Sequence, residues 1–348
     1  MFNAESFTTA NLPKDLEEEM IKAANHSLAK KTWSSYKTAM KHLDTCQEET
    51  GRSFSLPMSS NDILLFTSWL LVRRGVRAAT ADCYLSAIRQ VHIVKGHAIP
   101  TMRPEVVKSV LKGGRNQNVI KDRAVGRPTR LPVTPSMMKL IKKELSNMEI
   151  PIQRKRLIWL ICSLNFFGGF RIHETLSRTE REFDPAFTLL ARDVELKEVK
   201  VGNETEELLQ LRLKSPKEDR VGASTFIDVY QTGGQLCPIR AYKKWKETNP
   251  PRDPDLPAFR KEDGTPLTGR KLNEILKTCL APYIKQEEGH VSSHSFRSGM
   301  ASLMATLGYT DLQIKAMGRW SSNAFEAYIK LPRRQRSDMA KDIARRGM

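Results

Sequence analysis

The helical periodicity of this chain is interrupted between Gly113 and Pro135, and this interruption divides the chain into two parts. Glycine, proline, asparagine and basic residues replace the periodic apolar residues there, which disfavours packing into a core. A chain of 348 residues is long enough for two domains with separate cores. We therefore predict a first domain over residues 1–113, a basic linker over 114–135 and a second domain over 136–348.

The first part contains amphipathic helices and no convincing strand. Over residues 30–50 apolar side chains recur every three or four positions, and Gly51 follows as a helix-ending residue. Serine and asparagine at positions 59–61 are N-cap candidates for the next helix. Two further helices are predicted over residues 78–95 and 105–112, each followed by glycine. The first domain is therefore predicted to be all helical.

The second part combines helices with a small hairpin. It opens on the helix-start signal Thr134-Pro135-Ser136, and the almost wholly apolar residues 157–167 predict a buried helix. Two alternating segments, 207–214 and 225–230, flank a polar loop and predict an antiparallel hairpin. Helices are predicted again over residues 238–246, 268–284, 295–307, 311–317 and 323–329. The predicted fold class is mainly α with a small antiparallel β-sheet.

The net charge is +18, from 57 Lys and Arg against 39 Asp and Glu, and this excess favours a polyanionic partner. Nucleic acid is preferred over an acidic membrane surface, because we find neither an apolar run of about 18 residues nor a signal-peptide core. The five cysteines (Cys46, Cys83, Cys162, Cys237, Cys279) are far apart and never form C-x-x-C. We predict a soluble intracellular protein with reduced, mostly buried thiols and no metal site.

Two pairs of polar residues are each spaced three apart. On a helix Arg171 and Glu174 would share a face, where the carboxylate can orient the guanidinium. His294 and Arg297 lie at the start of a helix that Ser293 can cap, and a helix start attracts anions. Taken alone, the first pair also fits a surface ion pair, and the second fits a capping histidine beside a solvated arginine.

Two aromatic residues follow these pairs. The indole of Trp320 carries a hydrogen-bond donor suited to a phosphoryl oxygen, and the Tyr328 hydroxyl, with a reference pKa of about 10, can act as a covalent nucleophile. Either ring alone also fits a core aromatic of a short helix. Together with the arginines and the histidine, they form a set that could hold one phosphodiester and attack it.

In their order along the chain, these residues resemble the signature of the tyrosine recombinase (phage integrase) family: R-x-x-E, a lysine in a β-hairpin, H-x-x-R, a His or Trp, and a nucleophilic Tyr. The matching positions are Arg171, Glu174, Lys217, His294, Arg297, Trp320 and Tyr328. The wording HSFRSGMAS…GRWSSNAFEAYIKLPR is most similar to recombinases of eukaryotic mobile elements, the Crypton and DIRS/Ngaro-type groups. The resemblance is tight over residues 166–331, and the helical first part is similar to the family's core-binding domain.

Two assignments keep an alternative. Many family members have a histidine nine residues before the tyrosine, where this chain has Arg319. Trp320 therefore receives the hydrogen-bonding role, and Arg319 is kept in reserve. Lys217 is assigned as the hairpin lysine, and Lys214 is its alternative.

The resemblance implies that Tyr328 attacks a scissile phosphate, releases a 5′-hydroxyl and forms a 3′-phosphotyrosyl bond without ATP, metal or other cofactor. Arg171 and Arg297 would neutralise the phosphate, with His294 and Trp320 donating hydrogen bonds. His294 could also assist removal of the tyrosyl proton. Lys217 would protonate the leaving oxygen, and Glu174 would hold Arg171.

The implied partner is double-stranded DNA. The resemblance implies that a homo-tetramer binds two DNA sites and that the reaction passes through a Holliday junction. A monomer in the absence of DNA is left as an alternative. A location in the nucleus is expected from the similarity to recombinases of eukaryotic mobile elements. Residues 333–348 fit either a helix exchanged between subunits or a frayed basic tail, and the linker fits either a flexible connector or a segment lying along DNA. The residues predicted to bind DNA are Lys121, Arg123, Arg127, Arg130, Arg319 and Lys214.

Two alternative functions are retained. One is a domesticated DNA-binding protein of the same fold that no longer recombines. The other is a type IB topoisomerase, which uses the same chemistry but relaxes DNA as a monomer.

Overall fold

The computed structural model describes residues 13–28, 30–125, 129–181, 183–214, 224–249, 253–285 and 289–329. The chain forms two compact units, Met1–Arg127 and Pro128–Met348, and the division falls inside the predicted linker. The fold class predicted from the sequence is confirmed, because the chain is mainly helical and has a small antiparallel sheet.

The described residues of the first unit form helices and the loops between them, and no strand. The start of its third helix matches the prediction: the Ser59 hydroxyl accepts from the Asp62 N–H at 3.1 Å, and the Asp62 carboxylate accepts from the Ser59 N–H at 3.1 Å. The helices are α1 Lys14–His26, α2 Lys30–Thr50, α3 Ser60–Val72, α4 Ala78–Val94 and α5 Glu105–Ala124. Helices α2 to α5 share a core that includes Leu43, Phe66, Leu70, Leu85 and Leu111.

Helix α5 continues through the two glycines at which the sequence predicted its end. The predicted end at Lys112 is wrong, and the first half of the predicted linker is helical. A Cβ at Gly114 would lie 3.2 Å from the Ala78 Cβ, so this glycine lets α5 approach the start of α4 closely. The Arg77 guanidinium also donates to Asp122 on α5 at 3.0 Å. These contacts offset the low helix propensity of glycine.

The second unit packs helices around the buried helix that the sequence predicted. Its helices are α6 Pro135–Asn147, α7 Ile152–Phe167, α8 Ile172–Thr175, α9 Pro238–Thr248, α10 Gly269–Leu280, α11 His294–Thr306 and α12 Asp311–Gly318. Helix α7 is the buried one, and it contacts α6, α9 and α11. Helix α6 begins as predicted, because the Thr134 hydroxyl accepts from the Met137 N–H.

The sheet of this unit has one strand more than the predicted hairpin. Its antiparallel strands are β1 Val194–Val201, β2 Glu204–Leu213 and β3 Thr225–Tyr230, in the order β1-β2-β3. Strands β2 and β3 confirm the hairpin. Strand β1 was missed because Lys197-Glu198 interrupts its alternation of apolar and charged residues, and pairing with β2 supplies the order that the pattern lacks.

Residues 129–133, which we call the strap, lie against the segment that precedes α11. The backbone of His290 donates to Thr129 and accepts from Leu131, both at 2.9 Å, in a parallel pairing. Val133 is buried. Residues 129–133 of the predicted linker therefore pack on the second unit, contrary to the sequence expectation. Its backbone groups find partners in an extended pairing that side-chain periodicity does not reveal.

A glycine in α11 makes the close approach of the strap possible. A Cβ at Gly299 would overlap the Val133 carbonyl, so Gly299→Ala is expected to lower the free energy of unfolding by about 1–3 kcal/mol. Gly113→Ala in α5 is the matched control, because no described atom lies within 4 Å of its Cβ position. That alanine should raise stability by about 0.5–1 kcal/mol. Urea unfolding measures both, and shifts of the same sign would contradict the close approach.

The thiols match their prediction. All five cysteines are free, and Cys83 alone among them is exposed. Burial raises the pKa of the Cys279 thiol to about 11, so this thiol stays protonated at neutral pH. Within the described ranges, no helix is long and apolar enough to cross a bilayer.

Candidate active site

Arg171 and Glu174 lie at the turn that follows the buried helix α7. Arg171 immediately precedes the one-turn helix α8, and Glu174 is in its first turn. The Glu174 carboxylate accepts from the Arg171 N–H at 2.8 Å and from its guanidinium at 2.9 Å. The predicted pairing is present, but it caps a helix start instead of lying on one helix face. The side chains are 15% and 5% exposed, so this is not a surface ion pair.

Arg171 shares Glu174 with a second arginine. The Arg319 guanidinium donates to the Glu174 carboxylate and to the Gly168 carbonyl, each at 2.8 Å, and lies 5.0 Å from the centre of the Phe170 ring. Burial tends to raise the pKa of Glu174, but the charge of Arg319, then the N–H and charge of Arg171, outweigh it and lower this pKa. The carboxylate is therefore ionised. Arg319, a predicted DNA contact, is directed inward by its left-handed backbone conformation at the end of α12.

Arg297 connects two turns that are distant in sequence. It is 3% exposed, and its guanidinium donates to the Gly169 carbonyl at 2.6 Å and to the Gly318 carbonyl. The Trp320 ring lies over the guanidinium, whose carbon is 4.3 Å from the ring centre. Because Gly169 is two residues from Arg171, the two predicted phosphate-binding arginines belong to one cluster. Trp320 contacts Arg297 directly, a role that the sequence did not predict.

His294 is exposed at the first position of α11. The predicted cap is wrong, because the Ser293 side chain accepts no hydrogen bond from the helix start. Partial burial lowers the pKa of His294, and the positive charges of Arg130, Arg297 and Arg171 lower it further. The imidazole is therefore largely neutral at neutral pH and can accept a proton.

The segment that carries Tyr328 packs on α11 and α12. It forms the 3₁₀ turn Asn323–Tyr328, in which Phe325 is fully buried in an apolar cluster that Ile329 also contacts. The Trp320 ring lies 6.0 Å from the Phe325 ring. The Tyr328 side chain lies outside the described part of the structure, so the position of its hydroxyl stays a prediction.

The candidate hairpin lysines lie in the loop between β2 and β3. The Lys214 ammonium is 2.7 Å from the carboxylate of Asp193, which is 2% exposed, and donates to the Pro185 carbonyl at 3.0 Å. At the start of the loop, the Lys214 ammonium is therefore held by this ion pair and this hydrogen bond. Lys217 lies outside the described residues.

The remaining predicted DNA-binding residues divide in two groups. Lys121 on α5 and Arg130 in the strap are exposed. Arg127, the side chain of Arg123 and the tail at 333–348 lie outside the described part of the chain.

His173 is a site residue that sequence reasoning missed. It is exposed on α8. Partial burial lowers the pKa of His173. The charge of Glu174 tends to raise this pKa, but the charges of Arg178, Arg171 and His294 lower it further. The string Arg171-Ile-His-Glu contained this histidine, but only the tertiary structure brings it near His294.

In the described ranges, no three His, Cys, Asp or Glu side chains group as metal ligands would. No protein-family model matches the chain, and no curated protein matches it in sequence.

Solved structures, in contrast, share the fold. The integrase of transposon Tn1549 in complex with transposon right end DNA has a TM-score of 0.56 and 13% identity over 93% of this chain and 97% of that one. The XerH site-specific recombinase in a post-cleavage complex has a TM-score of 0.56 and 12% identity over 88% and 78%. A lambda integrase dimer bound to a COC′ core site has a TM-score of 0.53 and 14% identity over 92% and 95%. Such identities establish the fold alone.

Proposed function

We propose that this chain, which has the fold of the tyrosine recombinases, is a site-specific DNA recombinase that acts through a 3′-phosphotyrosyl intermediate. The observation that carries the proposal is the clustering of Arg171 and Arg297 at the Gly169 turn, beside a largely neutral His294. The single carboxylate of Glu174 does not balance the three guanidinium groups at this turn, those of Arg171, Arg297 and Arg319, and a phosphodiester would supply further negative charge. The net charge of +18 further supports double-stranded DNA as the partner.

The proposed reaction transfers one phosphoryl group and two protons. The Tyr328 oxygen bonds to phosphorus while the bond to the 5′-oxygen breaks, and His294 accepts the tyrosyl proton. A lysine of the loop between β2 and β3 donates a proton to the leaving 5′-oxygen. Arg171 and Arg297 stabilise the charge on the non-bridging oxygens, and Glu174 keeps Arg171 in place. Attack by the 5′-hydroxyl of another strand releases the tyrosine, so the exchange consumes no ATP.

The proposal extends to assembly and source. Exchange between two duplexes requires four cleavages, so we propose a homo-tetramer on two DNA sites that passes through a Holliday junction. The similarity of residues 294–333 to recombinases of eukaryotic mobile elements supports an origin in an element of the Crypton or DIRS/Ngaro type, and therefore action in the nucleus.

The general acid is proposed to be Lys217. Lys214 is held by the buried Asp193 carboxylate, so transfer of its proton to DNA would break a buried ion pair. Replacing the leaving 5′-oxygen by sulfur removes the need for protonation, because a thiolate is a better leaving group. Lys217→Ala should lose about 100-fold in cleavage of ordinary DNA and recover on the sulfur substrate. Lys214→Ala is the matched control, and recovery seen for that variant alone would reverse the assignment.

Covalent trapping tests the function as a whole. Random-sequence duplexes are enriched for binding to the chain, nicked next to each candidate cleavage position, and incubated with the protein. A denaturant-resistant adduct at the 3′ end of the cut strand is expected. DNA binding without any adduct would overturn the proposal in favour of a DNA-binding protein that does not recombine. Relaxation of unrelated plasmids by a monomer would favour a topoisomerase.

A further inference from the structure

The strap places a cation next to the candidate site. Residue 130 pairs with residue 290 in the parallel bridge, so the Arg130 and His290 side chains leave the pairing on the same side. Both residues are exposed. Four residues after His290, helix α11 begins with His294. The backbone pairing therefore sets Arg130 beside the start of the helix that carries His294 and Arg297.

The strap is held in this position by close backbone contact. In addition to its two hydrogen bonds with His290, the strap donates one from the Val133 N–H to the Ser295 carbonyl, at 2.9 Å. A Cβ at Gly289 would overlap the Thr129 carbonyl. Hydrogen bonds and glycine contacts on both sides of Arg130 thus fix its backbone, which is the precondition for a positioned functional side chain.

The charges that face His294 come from three places: Arg130 from the strap, Arg297 from α11 itself, and Arg171 from the residue directly before α8. The His173 imidazole on α8 is a further titratable group near His294. Among the positive charges that lower the pKa of His294, Arg130 has the largest effect. Groups of one sign gathered at an exposed position favour a bound anion.

We propose that Arg130 is a third arginine of the active site, which the strap presents to a DNA phosphate beside His294. This inference rests on the proposed function and adds a residue to it. In the resting protein the charge of Arg130 keeps His294 ready to accept a proton. In the complex its guanidinium contacts the DNA backbone. A segment that the sequence presents as a linker thereby becomes part of the catalytic centre.

The test compares Arg130→Ala and Arg130→Lys with the original chain on a nicked duplex selected from the random pool. At saturating DNA, Arg130→Ala should form the covalent adduct at least about tenfold more slowly. The plot of log affinity against log salt concentration should become less steep, its slope losing about one unit in magnitude. Loss of the charge raises the pKa of His294, so the acidic limb of the rate profile should move to higher pH, whereas Arg130→Lys should keep that limb in place.

Lys139→Ala is the matched control, because it removes an equal charge from the exposed face of the next helix, α6. Arg130 is itself exposed, and urea unfolding midpoints check that all variants remain folded. Suppose that the original chain forms the adduct and that Arg130→Ala matches Lys139→Ala in rate, salt slope and pH profile. Arg130 then lies outside the site, and the inference about Arg130 is overturned while the proposed function stands. If the original chain forms no adduct on any selected duplex, the proposed function fails first.

Discussion

Replacing Tyr328 with phenylalanine is expected to abolish the covalent protein–DNA adduct and to leave DNA affinity within about twofold of the original value. The change removes one oxygen atom, which the proposed reaction needs as nucleophile. The anchors of this segment are Phe325 and Ile329, and the substitution does not change them. The rate of adduct formation and the dissociation constant are measured on the same selected duplex.

Tyr309→Phe is the control for this experiment. Tyr309 is 48% exposed in the turn between α11 and α12. We expect this variant to form adduct at the original rate. An adduct that persists in Tyr328→Phe and disappears in Tyr309→Phe would assign the nucleophile to the other tyrosine.

Replacing Arg297 with alanine is expected to reduce strand cleavage by about a thousandfold. It should also lower the free energy of unfolding by about 3 kcal/mol, since the arginine is buried and its loss removes the donor to the Gly318 carbonyl and the shorter of the two hydrogen bonds to the Gly169 carbonyl. Arg297→Lys should recover little of the rate, because one ammonium cannot reach Gly169 and Gly318 as the planar guanidinium does. Single-turnover cleavage and urea unfolding separate the two effects.

A change in the DNA distinguishes the chemical role of Arg297 from its structural role. A methyl group in place of one non-bridging oxygen makes the scissile phosphate neutral. If Arg297 stabilises phosphate charge, Arg297→Ala should lose far less rate relative to the original chain on this substrate than on ordinary DNA, whereas the original chain itself should gain nothing. An equal loss on both substrates would show that Arg297 acts only by holding the Gly169 and Gly318 turns.

Local patterns predicted most of the elements correctly. Helix α2 follows from apolar residues at helical spacing, α6 from the capping Thr134 at its start, and α7 from a nearly continuous apolar run. The hairpin of β2 and β3 follows from alternation around a polar loop. These features depend on neighbours within a few positions, so they can be read along the chain.

The arrangement of the site residues could be predicted only in part. Order along the chain identified Arg171, Glu174 and Arg297 as one group, and the structure places them around a common turn. The inward direction of Arg319 was missed, because it depends on a left-handed residue at the end of α12 and on a carboxylate more than a hundred positions away. No spacing rule covers such a contact.

The amino-acid sequence by itself determined the fold class, the helical first part and the identity of the polar residues proposed to hold a phosphodiester, because composition, periodicity and residue chemistry are local properties. Only the tertiary structure decided that helix α5 crosses Gly113 and that the strap packs beside His294. Both outcomes arise from close backbone approach and hydrogen bonding between distant segments. The stabilisation from such contacts depends on which surfaces meet in three dimensions, so the side-chain pattern of either segment alone does not predict it.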